Sequence, residues 1–437
     1  MCPQSHASST HTLLRLCLPL IVAAILLAVW VALVAAQGPS KLTRVTTSSD
    51  ADMRESDQPS LSDDGTRIAF QSDSDFLGEG RPQGVTEVWL YDTATMTVTR
   101  VTSALDSDRD SRDPSISGDG TKVAFCSDSD FLEEGRPDNV QEIWLYDTTT
   151  MTFTRVTSAS HSDRYSRYPS LSGGGTKVAF HIDSDFLGQI ILKNQWEIWL
   201  YDTATMTLTR VTTKAGSGDR DSGSPSLSAD GTKIAFQSYS DFLGQGIPNT
   251  QLEIWLYDTA TMTVTRVTTA SPDGRDSYNP SISGDGTRIA FYSDSDFLGQ
   301  GAVDDEVWLY DTATMTVTRI TTASHPDRGS YNPSISGDGT RIAFESDSDL
   351  LGQSILKNQW EIWLYDTDTM TVTRVTTAAS TGLRDSYNPS LNRGGSKIAF
   401  ASDSDFLGQV IADGQYEIWL REYLPRLHLP LVLRSGG

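Results

Sequence analysis

Residues 59–102 read PSLSDDGTRIAFQSDSDFLGEGRPQGVTEVWLYDTATMTVTRVT, and copies of this unit start at Pro59, Pro114, Pro169, Pro225, Pro280, Pro333 and Pro389. Each copy carries four short strand-like runs. In the first they are QPSLS, then TRIAFQS after the Asp64-Gly65 turn, TEVWLYD after a long loop, and MTVTRVT after a short polar turn. Four antiparallel strands in a period of 53 to 56 residues describe one blade of a β-propeller, which buries both faces only between neighbours. The outer-strand signature TRVT or TRIT begins at Thr43, Thr99, Thr154, Thr209, Thr265, Thr318 and Thr373. Its first copy precedes any complete repeat, and the last repeat ends at Leu420 without one. Residues 42–46 are therefore expected to supply the outer strand of the blade whose inner three come from 389–420. The fold class that follows is all-β: a seven-bladed propeller of four-stranded antiparallel blades, closed by an N-terminal outer strand with no free sheet edge at the seam.

The pattern P-S-[LI]-S-x-D-G-[ST]-[RK]-[IV]-A-F-x-S, followed by E-[IV]-W-L-Y-D and R-[VI]-T, resembles the WD40-like repeats of the TolB-type β-propellers. The resemblance covers about residues 42–420 and implies the propeller fold. It also implies an α/β domain ahead of the propeller, for which residues 37–41 leave no room.

Residues 1–36 read as a targeting segment. They contain no acid, carry Arg15, and run uninterrupted in apolar residues from 16 to 36. The small residues Val34-Ala35-Ala36 suit cleavage of a signal peptide, whereas the length of the run suits an N-terminal membrane anchor. Either way the protein is expected to be exported to the periplasm, the cell surface or the outside. Residues 37–420 are the propeller, and 421–437 form a Leu/Pro-rich tail. Cys2 and Cys17 fall in the leader, so Cys126 has no partner for an internal disulfide. With 34 Lys and Arg against 57 Asp and Glu, the formal net charge of −23 argues against nucleic acid and is compatible with basic partners.

Trp89, Trp144, Trp199, Trp255, Trp308, Trp363 and Trp419 lie on the third strands and are expected in the core. Two loop sets share one face of a propeller. The loop entering each inner strand carries Arg54, Arg109, Arg164, Arg220, Arg275, Arg328 or Arg384. The loop between second and third strands carries SDSDFLG or a variant, giving Asp73 and Asp75, Asp128 and Asp130, Asp294 and Asp296 among others, and closes on an acid such as Glu87 or Glu142. These aspartates are weak Ca²⁺ candidates, because an Asp-x-Asp with a later Glu supplies hard oxygens. The competing expectation is that they cap turn amides and pair with the arginines, with no cofactor required.

Positions where the copies differ point to a binding site. Two residues before each repeat proline, at the channel mouth, the series runs Asp57, Arg112, Arg167, Gly223, Tyr278, Tyr331, Tyr387. Three consecutive tyrosines face a side carrying two arginines, and Trp196 and Trp360 sit in nearby loops. Aromatic and polar groups together suit a sugar or a peptide segment. Catalytic motifs are missing: there is no GxSxG and no HExxH. The residues following Ala-Phe include Cys126, His181, Tyr292 and Glu345, scattered over different blades. The expected function is a monomeric, non-enzymatic scaffold that binds a protein or glycan partner at the envelope or outside the cell. The alternative is a propeller-channel enzyme of lyase or glycosidase type.

Overall fold

The computed structural model describes residues 40–423, apart from 49–53, 81–83, 104–108, 136–139, 159–164, 184–194, 214–219, 270–274, 300–303, 324, 326, 354, 378–383, 410 and 413. The leader (1–36), Arg164 and residues 424–437 of the tail lie outside the described residues. β1 is Ser40–Arg44, and the first blade is β2 (Ser56–Leu61), β3 (Arg67–Ser72), β4 (Glu87–Asp92) and β5 (Thr97–Arg100), paired in that order. Five further blades repeat this order. In the remaining sheet β1 pairs with the last strand, Glu417–Tyr423, followed by Lys397–Ser402 and Ser386–Leu391. Neighbouring strands within a blade pair antiparallel, as in Phe70↔Trp89 and Trp89↔Arg100. The fold is thus the seven-bladed propeller that the repeat predicts. The described residues fall into two compact units: Thr43–Arg421, and the flanks 40–42 with 422–423, in which Lys41 Nζ lies 3.7 Å from Glu422 Oε2.

The core lies between blades. Ala69, Val88 and Val101 of the first blade cluster with Ile116, Val123, Phe125 and Trp144 of the second. All seven third-strand tryptophans are fully buried. Among the described residues, the phenylalanine of the acidic loop stands edge-on to that tryptophan in five blades, as in Phe76–Trp89, Phe131–Trp144 and Phe297–Trp308, each at 5.0 Å. The loop is therefore anchored by its own apolar residue.

The serine of each Pro-Ser pair clips neighbouring blades together. Its hydroxyl accepts the backbone N–H of the next inner strand, from Ser60 to Ile116 (3.1 Å) through to Ser334 and Leu391 (3.1 Å), and Ser390 to Leu61 (3.0 Å) completes the ring. At the seam Val45 N donates to Ile418 O at 2.8 Å, and Val45, Ile418 and Leu420 pack with Leu61, Phe70 and Trp89 of the first blade. The Asp-Gly turns adopt the expected left-handed glycine. At Gly120 (φ +70°) a Cβ would lie 3.0 Å from Arg67 Cδ, so conformation and contact both favour glycine.

A candidate binding site at the channel mouth

Each inner strand breaks register at the channel mouth, as between Asp57 and Ser60 or Tyr331 and Ser334. The extra residue has positive φ in all seven blades: Gln58, Asp113, Tyr168, Ser224, Asn279, Asn332 and Asn388, between 45° and 54°. A bulge of this kind re-aims side chains and frees backbone groups that need partners. The preceding blade supplies some of them. Asp113 N donates to Gln71 Oε1 at 2.9 Å, Asn279 N to Gln237 Oε1 at 2.8 Å, and Asn388 N to Glu345 Oε2 at 2.9 Å. The residue after Ala-Phe is thus a socket for the next blade's bulge, which puts Glu345 at the mouth.

The three predicted tyrosines are brought into one arc, but through rings that the repeat position alone does not reveal. Tyr278 stacks on Tyr292 at 5.1 Å, Tyr292 meets Tyr331 edge-on at 5.1 Å, and Tyr331 meets Trp360 at 5.4 Å. Trp360 reaches Tyr387 at 6.3 Å, and Tyr387 reaches Tyr416 at 5.7 Å. The six rings are all partly exposed. Tyr278 Oη donates to Asp276 Oδ2 at 2.9 Å, and Tyr331 and Tyr387 bond Asp305 and Asp385. Burial, followed by these carboxylates, raises the tyrosine pKa values, while burial lifts Asp305 to about 6. Tyr292 was legible only as the residue opposite Tyr278 across the first two strands.

Beside the arc lies a pocket of about 260 Å³ lined by Glu55, Asp57, Asn332, Glu345, Tyr387, Asn388 and Tyr416. A polar line crosses four blades to reach it. Asn279 Nδ2 donates to Asn332 Oδ1 at 2.7 Å, Asn332 Nδ2 to Glu345 Oε1 at 2.7 Å, and Asn388 Nδ2 to Asp57 Oδ1 at 2.8 Å. Burial pushes the Glu345 carboxyl up to about 7, with Asp57 adding to the rise and the two asparagine bonds opposing it. Glu345 stands alone in the sequence, but the fold places it with Glu55 and Asp57 around one pocket.

That shift sets a pH dependence. A carboxyl whose folded pKa lies above its unfolded value favours folding when protonated. Its contribution is whole below about 4.5 and lost as pH rises through about 7, a change on the order of 3 kcal/mol. Glutamine occupies the same socket in blades one and four, so Glu345→Gln fits the site. The variant is expected to outlast the wild type in urea at pH 8 and to lose that advantage at pH 4. Equal stability differences at both pH values would refute a perturbed Glu345.

The predicted cationic side is separate from this pocket. Arg112 is exposed and pairs with Asp110 at 2.8 Å, while Arg167 donates from Nε to Gln141 Oε1 at 2.8 Å and sits 5.4 Å over the Tyr165 ring. Trp196 belongs to this side, 4.7 Å from His181, which in turn meets Tyr168 at 5.1 Å. Trp196 and Trp360, equivalent in sequence, therefore serve different arcs. Burial, then Arg167, lowers His181 to about 3. Burial, then Asp113, raises the Cys126 thiol well above its ordinary value, so it is held as a thiol and not as a thiolate nucleophile.

The acidic loops are built as turns. In six blades the arginine donates to the backbone carbonyl of the first loop residue, as Arg54 to Asp73 O (2.9 Å), Arg109 to Asp128 O (2.7 Å) and Arg220 to Tyr239 O (2.7 Å). Arg384 Nη1 also lies 3.8 Å from Asp403 Oδ2, a carboxylate pairing of the expected kind, while the carbonyl bond explains why Tyr239 can replace aspartate in blade four. The carboxylates of Asp73, Asp128 and Asp294 instead accept the N–H of Glu55, Asp110 and Asp276 at 2.8, 2.8 and 2.9 Å. Asp75 accepts Glu79 N (3.0 Å) and Gly80 N (2.6 Å), and Asp130 accepts Glu134 N (3.0 Å) and Gly135 N (2.7 Å). In blade five the Asp296 carbonyl accepts Gly299 N at 3.5 Å. The closing acids Glu87 and Glu142 are buried and accept the Thr102 and Thr157 hydroxyls within their own blades. Among the described residues no three His, Cys, Asp or Glu side chains are grouped to hold a metal ion.

Solved structures share this architecture. Oligogalacturonate lyase from Vibrio parahaemolyticus is similar at 14% identity and TM-score 0.56, over 88% of this chain and 98% of that one. The β-propeller domain of the Trilobed protease from Pyrococcus furiosus has 14% identity and TM-score 0.55, over 88% of this chain and 100% of that one. TolB from Acinetobacter baumannii has 18% identity and TM-score 0.41, over 85% and 80%. At these identities the likeness to the first two shows the propeller fold alone. No family model and no curated protein matches the chain.

Proposed function

We propose that this protein is an exported, non-enzymatic binding propeller that holds a protein or glycan partner at its channel mouth. The observation that carries the reading is the arc of six partly exposed rings from Tyr278 to Tyr416, spanning three blades beside a pocket. Rings pre-set by stacking and by hydroxyl bonds offer contact area at little entropic cost, as binding anchors do. Arg112 and Arg167, on the opposite side, make the mouth asymmetric and so orient a partner.

The test is a panel of oligosaccharides and extended peptides titrated against the wild type and against Tyr278→Ala/Tyr331→Ala/Tyr387→Ala. Truncating an anchor costs about 2 kcal/mol, roughly 30-fold in affinity. The triple variant is expected to lose all measurable binding. It also melts lower than a loop-surface variant, because half-buried ring pairs contribute about 0.5–1.5 kcal/mol each. Tyr331→Phe, which keeps the ring and removes the bond to Asp305, separates the two effects. A triple variant that is folded and binds like the wild type sinks the proposal.

Glu345 supports the enzyme alternative, since a pocket carboxyl held near neutrality suits general acid chemistry beside a second acid, Asp57. Three pocket carboxylates would repel a polycarboxylate such as oligogalacturonate, so a neutral glycan is the fitting substrate for that reading. Turnover of such a glycan that Glu345→Gln abolishes would favour it.

A further inference from the structure

Glu55, Asp57 and Glu345 line the pocket, and among the described residues none of them has a basic partner. Elsewhere in the fold five buried glutamates carry an arginine partner. Arg44 meets Glu417 at 2.8 Å, Arg210 meets Glu197 at 2.9 Å, and Arg319 meets Glu306 at 2.9 Å. Both bonds to the Asp57 carboxylate, from Gln58 N and Asn388 Nδ2, go to Oδ1, and Oδ2 accepts none among the described residues. The other wall is the ring pair Tyr387–Tyr416, whose π faces are also electronegative. A cation gains from both walls, a neutral sugar gains only hydroxyl hydrogen bonds to the carboxylates, and an anion is repelled.

We infer that this pocket takes one cationic side chain, a lysine or arginine, from an extended protein segment lying along the aromatic arc. The inference rests on the binding reading above and narrows it to a protein partner. One pocket at the end of a long aromatic surface suits a chain with a single anchoring side chain. A formal net charge of −23 also steers a basic partner toward the propeller. The groups facing Glu345 are Asn332 on its own blade, Asn388 on the next, Tyr292 on the preceding one and Asp57 of the first, with Glu55, Tyr387 and Tyr416 around the same space. Among the described residues no basic side chain lines the pocket to compete with the incoming cation. Because the cation favours the ionised carboxylate, binding releases a proton and strengthens from pH 5 to pH 8.

The experiment is calorimetric titration of the full chain with the capped pentapeptide Gly-Tyr-Lys-Tyr-Gly, with the same peptide carrying Nε-acetyl-lysine, and with glutamate in place of lysine. The lysine peptide is expected to bind about tenfold tighter than the acetylated one, and the glutamate peptide not at all. Glu345→Gln and Asp57→Asn should shrink the preference to about threefold or less, whereas Asp368→Asn, in an exposed turn, removes the same charge without effect. Equal loss in Asp368→Asn would mean attraction by net charge alone and overturns the inference. So does equal affinity for the lysine and acetylated peptides. If both then weaken about equally in Tyr387→Ala, the aromatic mouth still binds and only the cation pocket is wrong. Binding of no peptide overturns the inference too, and the oligosaccharide arm of the panel then decides the broader reading.

Discussion

Glu417→Ala is expected to destabilise the propeller by about 3–5 kcal/mol, the cost of leaving one member of a buried ion pair alone. Arg44 and Glu417 are 7% and 0% exposed and 2.8 Å apart. The same carboxylate accepts the Thr46 hydroxyl and, at 2.8 Å, Ser48 N, while Thr46 Oγ1 takes Ile418 N at 2.8 Å. One glutamate thus ties down the segment that closes the ring, joining residues more than 360 positions apart in the chain. Glu306→Ala removes an equivalent group, bonded to Arg319 at 2.9 Å and to Thr321, but within one continuous blade. Urea unfolding should report a similar loss for both variants. Only Glu417→Ala should associate with rising concentration, because release of the closing segment uncovers the edge of the strand beginning at Glu417. If the two variants behave alike on gel filtration, the seam is held elsewhere.

Trp308→Ala is expected to cost about 3–5 kcal/mol, by loss of transfer energy and by the cavity left behind. The side chain is fully buried, meets Phe297 edge-on at 5.0 Å, and donates from Nε1 to Ser293 O at 3.3 Å. Its cluster joins Ala235, Ile254 and Leu256 of the preceding blade, so the damage spreads to the interface between blades four and five. Trp360→Ala, by contrast, truncates a partly exposed ring at the mouth and is expected to cost about 1 kcal/mol while reducing binding. Unfolding midpoints for the two variants check this division between core and site. A Trp308→Ala protein as stable as Trp360→Ala would mean that the third-strand tryptophans do not hold the blades.

The repeat made the architecture legible without coordinates. Seven Pro-Ser starts, seven outer-strand signatures and a first signature displaced ahead of the first repeat are enough to count blades and place the seam, because a lone blade cannot bury its faces and an open ring leaves edges. The tyrosines at 278, 331 and 387 were legible as neighbours for the same reason: ring symmetry turns equal repeat positions into adjacent ones. What lay beyond that logic was the chemistry carried by single residues.

Glu345 and Tyr292 look isolated in the chain, since their partners Asn388, Asp57 and Tyr331 belong to other repeats. The arginine loops read as carboxylate pairs, and Arg384 does lie 3.8 Å from Asp403 Oδ2, but the backbone carbonyl bond that the loops share, as from Arg109 to Asp128 O, carries no side-chain signature in the sequence. Trp196 and Trp360 share one loop sequence and separate onto different arcs because their neighbours differ, His181 for one and Tyr331 with Tyr387 for the other. Local pattern determines backbone pairing, which depends on residues close in the repeat. Burial, charge compensation and ring contact depend on which blades meet, and only the closed propeller decides them.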